Sequence, residues 1–123
     1  MTTATMTVKP RTAPRAVLAL ALFAVLVFEA VKHGLWLPAV VGMLAPDIAL
    51  AFGMEHGRLN PRAVPLYNLL HSYGLPVALM AIAATGAIAL GWFVLGLAWA
   101  THIAVDRAVG YGLRDRDGFQ RRG

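Results

Sequence analysis

Four side chains of the types that bind metal ions lie within the apolar stretches that follow residue 34 of this sequence. They are Asp47, His71, His102 and Asp106. Two imidazoles with one or two carboxylates form a common donor set for zinc, iron or manganese, and a metal ion near a membrane surface can activate water for hydrolysis. His102 and Asp106 are four residues apart, so a helix places them on one face. The pattern predicts a site for a divalent metal such as Zn²⁺, with these four side chains as ligands.

Further polar side chains stand close to the predicted ligands in the sequence. Asn68 is expected to give polar support to the site. Tyr67 or Tyr111 would hydrogen-bond a substrate, and Arg107 would hold an anionic headgroup. With Asp106, these two tyrosines and the arginine are the candidate catalytic residues. The reaction they imply is metal-dependent hydrolysis of a lipid or membrane-proximal substrate.

The same residues allow two readings without hydrolysis. In the first, the polar groups form a structural cluster that locks helices together: Asp106 orients His102, and Tyr67 or Asn68 satisfies Asp47. In the second, the two histidines ligate a b-type haem, because they have matched depth on facing helices. The neighbouring carboxylates are unfavourable for a hydrophobic macrocycle. No protein-derived thiolate ligand or disulfide is available, since the sequence contains no cysteine.

Four apolar segments of about 20 residues position these groups. A helix of about 20 apolar residues crosses roughly 30 Å of hydrocarbon, and the runs show no period-two alternation. The segments cover residues 15–34, 35–54, 63–84 and 87–109. They predict an all-α, four-transmembrane-helix membrane bundle between a disordered tail (1–14) and a basic tail (110–123). Pro46 is expected to kink the second helix directly before Asp47.

Charge sets the expected orientation and partners. Only 14% of the residues are charged, against about 25% in soluble domains. Ten of the eleven Lys and Arg residues fall on the side shared by both tails and the middle loop, leaving only Lys32 on the other. This bias predicts a bacterial cytoplasmic-membrane protein with both termini in the cytoplasm. The partners expected are membrane lipids, a second copy or another membrane subunit; no nucleic-acid motif accompanies the net charge of +5.

The predicted topology puts the metal-binding side chains at one level of the membrane. Counted from the segment ends, they lie roughly 5–12 Å below the cytoplasmic boundary. The outer halves of the second, third and fourth segments are almost purely apolar, with no charged residue between Val77 and Thr101. A transporter would need polar groups along its whole path, so this pattern disfavours transport.

Three stretches of the sequence, taken in order, resemble one small family. They are Ala45-Pro46-Asp47, LYNLLHSY at residues 66–73 and HIAVDRAVGYGL at residues 102–113. The sequence is similar, over roughly residues 16–119, to the small bacterial integral-membrane family known as domain of unknown function 4260. This resemblance implies a compact four-helix membrane protein with no assigned activity.

A looser likeness links the chain to membrane-bound metal-dependent hydrolases. Those proteins similarly have a Pro-Asp pair ending one helix, a histidine on the next, and His-x-x-x-Asp on a later helix. The likeness implies metal-dependent hydrolysis rather than haem chemistry.

Overall fold

The computed structural model describes residues 12–55 and 57–122, and in this part the chain is mostly helical, with four helical stretches. The first is α1 (Thr12–His33), and the last is α6 (Leu90–Ala108). The second consists of α2 (Trp36–Leu44) and α3 (Ile48–Gly53), and the third of α4 (Val64–Leu70) and α5 (Gly74–Ala84). Most of the tail predicted for residues 1–14 lies outside the described residues.

Helix α6 forms the centre of the fold and packs along α1, α2 and α5. Small residues let the helices approach closely, as is typical where helices associate in lipid. A Cβ atom added at Gly42 of α2 would clash with the backbone carbonyl of Leu95, and one at Gly96 would lie 2.8 Å from Met80. The buried residues between α1, α2 and α6 form the main core: Leu26, Ala30, Ala39, Val94, Leu97 and Ala98.

The second and third helical stretches are interrupted, whereas the sequence pattern predicted continuous helices. A 3-10 turn, Ala45–Asp47, separates α2 from α3 at the position where Pro46 was expected to kink the helix. In the third stretch, residues 71–73 are non-helical and α5 restarts at Gly74. Pro76 has no N–H with which to bond the carbonyl four residues earlier, so it fits the first turn of a new helix better than a helix interior.

Two short antiparallel sheets lie at the end of the fold where α3 ends and α4 begins. Strand β1 (Met54–Glu55) pairs with β2 (Arg58–Leu59), and β3 (Tyr111–Arg114) pairs with β4 (Gln120–Arg122). The second hairpin contacts α4, and the Leu59 N–H donates to the Gly118 carbonyl at 3.0 Å. The segment predicted as a basic tail from residue 110 therefore folds back onto the helices.

Two of the four helical stretches are long and apolar enough to cross a membrane, by length and composition. They are Thr12–His33, with 22 residues, and Pro61–Ala84, with 24 residues including its interruption.

Candidate metal centre

The four predicted ligands meet where the two interrupted helices contact α6. Asp47 ends the 3-10 turn between α2 and α3, and His71 directly follows α4. His102 and Asp106 lie one turn apart on α6. One ligand atom from each of the four lies within 4.8 Å of the others. The predicted cluster thus exists, and helix breaks let side chains from separate segments converge on one point.

Five of the six distances between the ligand atoms lie between 3.0 and 3.5 Å. His71 Nε2 lies 3.0 Å from Asp47 Oδ1 and 3.5 Å from Asp106 Oδ2. His102 Nε2 lies 3.3 Å from both of these oxygens, and the two Nε2 atoms are 3.3 Å apart. A tetrahedral ion with bonds of about 2.0–2.1 Å has ligand atoms separated by about 3.3 Å. These five distances differ from that value by about 0.3 Å or less, and the sixth, between the oxygens of Asp47 and Asp106, is no longer than 4.8 Å.

Backbone carbonyls fix the tautomer of both imidazoles. His71 Nδ1 lies 2.9 Å from the carbonyl of Tyr67, and His102 Nδ1 lies 2.7 Å from the carbonyl of Met43. A carbonyl oxygen only accepts, so each Nδ1 must donate its hydrogen. In neutral imidazoles both Nε2 lone pairs then face the two carboxylates. An N–H donated to a backbone carbonyl is the usual support for a metal-bound histidine.

Burial differs between the two pairs of ligands. The side chains of His71 and His102 are 2% and 10% exposed, whereas those of Asp47 and Asp106 are 43% and 22% exposed. Charged groups removed from water must be paired or must bind a metal. A divalent cation would neutralise both carboxylates and engage both Nε2 lone pairs. Asp47 is the ligand most accessible from outside.

Side chains of α6 stabilise the break that positions His71. When α4 ends, the carbonyls of Leu70 and His71 lose their helical N–H partners. Trp99 Nε1 donates to the Leu70 carbonyl at 2.7 Å, and Arg107 Nη2 donates to the His71 carbonyl at 3.1 Å. Arg107, predicted to hold an anionic headgroup, therefore also anchors the backbone of a ligand.

The two predicted tyrosines are placed very differently. The Tyr67 ring is buried and stacks on the His71 ring with centroids 3.9 Å apart. Tyr111 lies in β3 with 48% of its surface exposed. It has no hydrogen bond or ring contact to the four ligands in residues 12–55 and 57–122. Tyr67 supports the site directly, and nothing in the geometry links Tyr111 to it.

Asn68 does not satisfy Asp47, contrary to the structural alternative drawn from the sequence. Its amide pairs with the backbone of Arg114 in β3, donating to the carbonyl at 2.9 Å and accepting from the N–H at 2.7 Å. Asn68 therefore fixes the C-terminal hairpin to α4. The Asp47 carboxylate instead faces His71, with Oδ1 3.0 Å from Nε2.

Arg114 is a supporting residue that sequence reasoning missed. It is 8% exposed, donates from Nη1 to the Gly118 carbonyl at 2.7 Å, and places its guanidinium 4.9 Å from the Tyr67 ring centroid. The only sequence signal is its period-two spacing with Gly112 on the buried face of β3. A four-residue strand is too short for such a signal to stand out.

The geometry is incompatible with the haem alternative. A bis-histidine haem needs the two imidazoles on opposite faces of a flat macrocycle. Here the two Nε2 atoms are 3.3 Å apart, and carboxylate oxygens lie 3.0–3.5 Å from both. The space that the macrocycle would need contains Asp47 and Asp106.

Comparison with known proteins identifies the family. No curated protein and no solved structure is significantly similar to the chain. The family model for the domain of unknown function DUF4260 matches residues 15–122. The match includes all four clustered residues and the C-terminal hairpin up to Arg122. The chain therefore belongs to the DUF4260 family, as the resemblance of its sequence elements predicted.

Proposed function

We propose that this protein is an integral membrane protein that binds one divalent metal ion through Asp47, His71, His102 and Asp106. We further propose that it uses the ion to hydrolyse a lipid or membrane-proximal substrate. One observation carries the proposal: both imidazoles donate from Nδ1 to backbone carbonyls, so in the neutral form each turns its Nε2 lone pair toward two carboxylate oxygens 3.0–3.5 Å away. Each Nε2 has three close neighbours: the two carboxylate oxygens and the Nε2 of the other histidine. A hydrogen on Nε2 could be donated to only one of them, whereas a metal ion would engage all four atoms.

The surface of the helices supports the membrane location. Large apolar side chains are widely exposed, including Leu20 at 70%, Val31 at 62% and Leu37 at 75%. Contiguous apolar surface of this kind is rare on soluble monomers. Together with the two membrane-length helical stretches and the basic residues gathered on one side, it supports a bundle with both termini in the cytoplasm.

The ligands differ in how readily they could make room for water. His71 and His102 are buried and held by backbone carbonyls, so they would retain the ion. Asp47 is 43% exposed and ends a three-residue 3-10 turn, so it is the ligand that water can displace. A bound divalent metal would supply Lewis acidity and lower the pKa of water. The freed Asp47 carboxylate would then accept the proton of the attacking water, while the leaving group takes up a proton from solvent.

Elemental analysis of detergent-purified protein tests the metal. We expect about one zinc, iron or manganese ion per chain, lost when His71→Ala and His102→Ala are combined. His33→Ala is the matched control, because His33 pairs with Glu29 at 3.1 Å in α1, outside the cluster. Equal metal content in wild type and the double variant would refute the site.

Hydrolysis is tested on ester and phosphodiester lipids with the metal-loaded protein. Asp47→Asn should abolish turnover, whereas Glu29→Gln should retain it. If both variants lose turnover, or if neither does, the activity does not depend specifically on the Asp47 carboxylate.

A structural metal is the second candidate, and the ligand count favours it. Four protein ligands complete a tetrahedral shell, as in closed structural zinc sites, whereas catalytic sites keep one open position. The ion would then join α2, α4 and α6 without chemistry. Chelation would lower the unfolding temperature by several degrees, and no substrate would be turned over. Asp47→Asn would then cost stability instead of activity. In that case the protein would serve as a membrane subunit for a second copy or another chain.

A further inference from the structure

The strongest feature outside the ligand shell is an apolar groove on the exposed face of α2 and α3. We define the α2 groove by Val40, Val41, Leu44, Asp47 and Ile48, which line a volume of 410 Å³. Among the residues that the structure describes, Asp47 is the one ionisable residue of this lining. The most exposed metal ligand therefore opens sideways, into an apolar groove along the helix.

Two further apolar volumes border α2 nearer its start, one against α1 and one against α6. A volume of 230 Å³ shares Val40 and Leu44 with the α2 groove and reaches Trp36, and one of 270 Å³ shares Val41 and reaches Trp92. Eleven residues separate Trp36 from Asp47, which corresponds to about 16 Å along a helix. This is about half of the roughly 30 Å hydrocarbon thickness, the depth of one leaflet.

From this geometry we propose that the α2 groove binds the acyl chain of a lipid substrate and delivers its polar linkage to the metal centre from within the bilayer. The inference rests on the proposed hydrolase function and narrows its substrate class to acyl-chain lipids. Three observations favour this occupant: apolar residues line the groove around Asp47, further apolar volumes border α2 over about the depth of one leaflet, and Asp47 is the one carboxylate among the described lining residues. A water-soluble substrate would leave the apolar part of the groove without a role.

Photo-crosslinking tests binding independently of activity. The probe is lysophosphatidylcholine with a diazirine in its acyl chain, added to protein in nanodiscs and mapped by mass spectrometry. We expect labelling to concentrate on Val40, Leu44 and Ile48, and to be competed by unlabelled lysophosphatidylcholine. Equal labelling of Leu20 and Val31 in α1, which are 70% and 62% exposed, would mean bulk lipid contact and would overturn the proposal.

A matched pair of variants tests delivery to the metal. Leu44 and Leu20 are 68% and 70% exposed, so Leu44→Trp and Leu20→Trp add the same bulk to equally exposed sites. We expect Leu44→Trp to lower kcat/KM for a long-chain ester by about tenfold or more, because the linkage is misplaced from the metal. Turnover of a short-chain water-soluble ester and the metal content should be unchanged, and Leu20→Trp should change neither rate. Equal loss for both esters would overturn delivery through the groove.

The two proposals fail in different ways. Protein without metal or turnover, but with labelling focused in the groove, would refute hydrolysis and leave lipid binding intact. Metal and turnover with unfocused labelling would refute only the groove. A second copy covering the groove is detected directly, because the chain has no cysteine and Leu44→Cys would then form a disulfide-linked dimer on oxidation. That result would overturn the lipid assignment.

Discussion

Adding one methyl group at Gly42 should weaken metal binding although Gly42 touches no ligand. Gly42 lies in α2 against α6, where a Cβ atom would lie 2.7 Å from the Ala98 Cβ and would clash with the Leu95 carbonyl. Carbon atoms in contact prefer separations of about 3.5–4.0 Å, so α2 and α6 would have to separate by about 1 Å. Met43, the next residue, supplies the carbonyl that holds His102 Nδ1 at 2.7 Å.

The size of the effect follows from that hydrogen bond. A displacement of about 1 Å stretches it to about 3.7 Å, beyond the range of an N–H···O hydrogen bond. Losing the outer hydrogen-bond partner of a metal-bound histidine costs about 10–100-fold in metal affinity. We therefore expect Gly42→Ala to weaken zinc binding by about 10–100-fold, or about 1.4–2.7 kcal/mol.

Competition with a chromogenic chelator, on protein purified in detergent, measures this affinity. Gly91→Ala is the control, since Gly91 faces the same helix pair but its added Cβ would meet Pro38 and Leu35 at ordinary distances of 3.7 and 4.0 Å. Both variants should keep the helical circular dichroism of the wild type. Wild-type affinity in Gly42→Ala, or an equal loss in Gly91→Ala, would refute the role assigned to the Met43 carbonyl.

Two further predictions concern the C-terminal hairpin. Gly118 has φ of +91° and no room for a Cβ beside the backbone of β2, so Gly118→Ala should release the hairpin and speed its cleavage in limited proteolysis. Gly57→Ala, with φ of +78° and open space around it, should cost only about 1–2 kcal/mol and leave the cleavage rate unchanged. Asn68→Ala leaves the backbone N–H and carbonyl of Arg114 without their partners, and should lower the free energy of unfolding by about 2–4 kcal/mol. Asn60→Ala removes one exposed 3-10 cap and should lower the free energy of unfolding by about 1 kcal/mol. Thermal unfolding measures both variants, and equal losses of stability would contradict the role of Asn68 in fixing the hairpin.

The gathering of the metal ligands was predictable because it depends on simple counting. Apolar run lengths place the helix ends, and the distance of each polar residue from those ends gives its depth. Asp47, His71 and His102 have nearly the same depth on three different segments, and polar groups in lipid face one another. Errors of a few residues at the helix ends do not disturb this agreement. The four side chains do meet within 4.8 Å.

The interruption at residues 71–73 was not predictable from the same counting. Pro76 is visible in the sequence, but a proline can bend a helix or end one. The outcome here depends on donors supplied from α6, where Trp99 and Arg107 satisfy the carbonyls freed by the break. Trp99 lies 29 positions after Leu70, and Arg107 lies 36 positions after His71, so no local sequence pattern contains these contacts.

The partner of Asn68 was also hidden from sequence reasoning. Its position three residues before His71 places it near the histidine on the helix surface, which suggested support for the carboxylates. Its amide instead pairs with backbone atoms 46 residues later in the chain. Backbone groups look alike in every sequence, so a side chain that pairs with a distant strand leaves no residue-type signal.

X-ray absorption at the metal edge of the purified protein tests whether these four side chains bind a metal ion. We expect one metal ion per chain with four nitrogen or oxygen neighbours at about 2.0–2.2 Å and the outer-shell scattering of two imidazoles. Combining His71→Ala with His102→Ala should remove both the imidazole scattering and the bound ion. Protein without metal, or an ion surrounded only by oxygen with no imidazole signal, would contradict the metal centre.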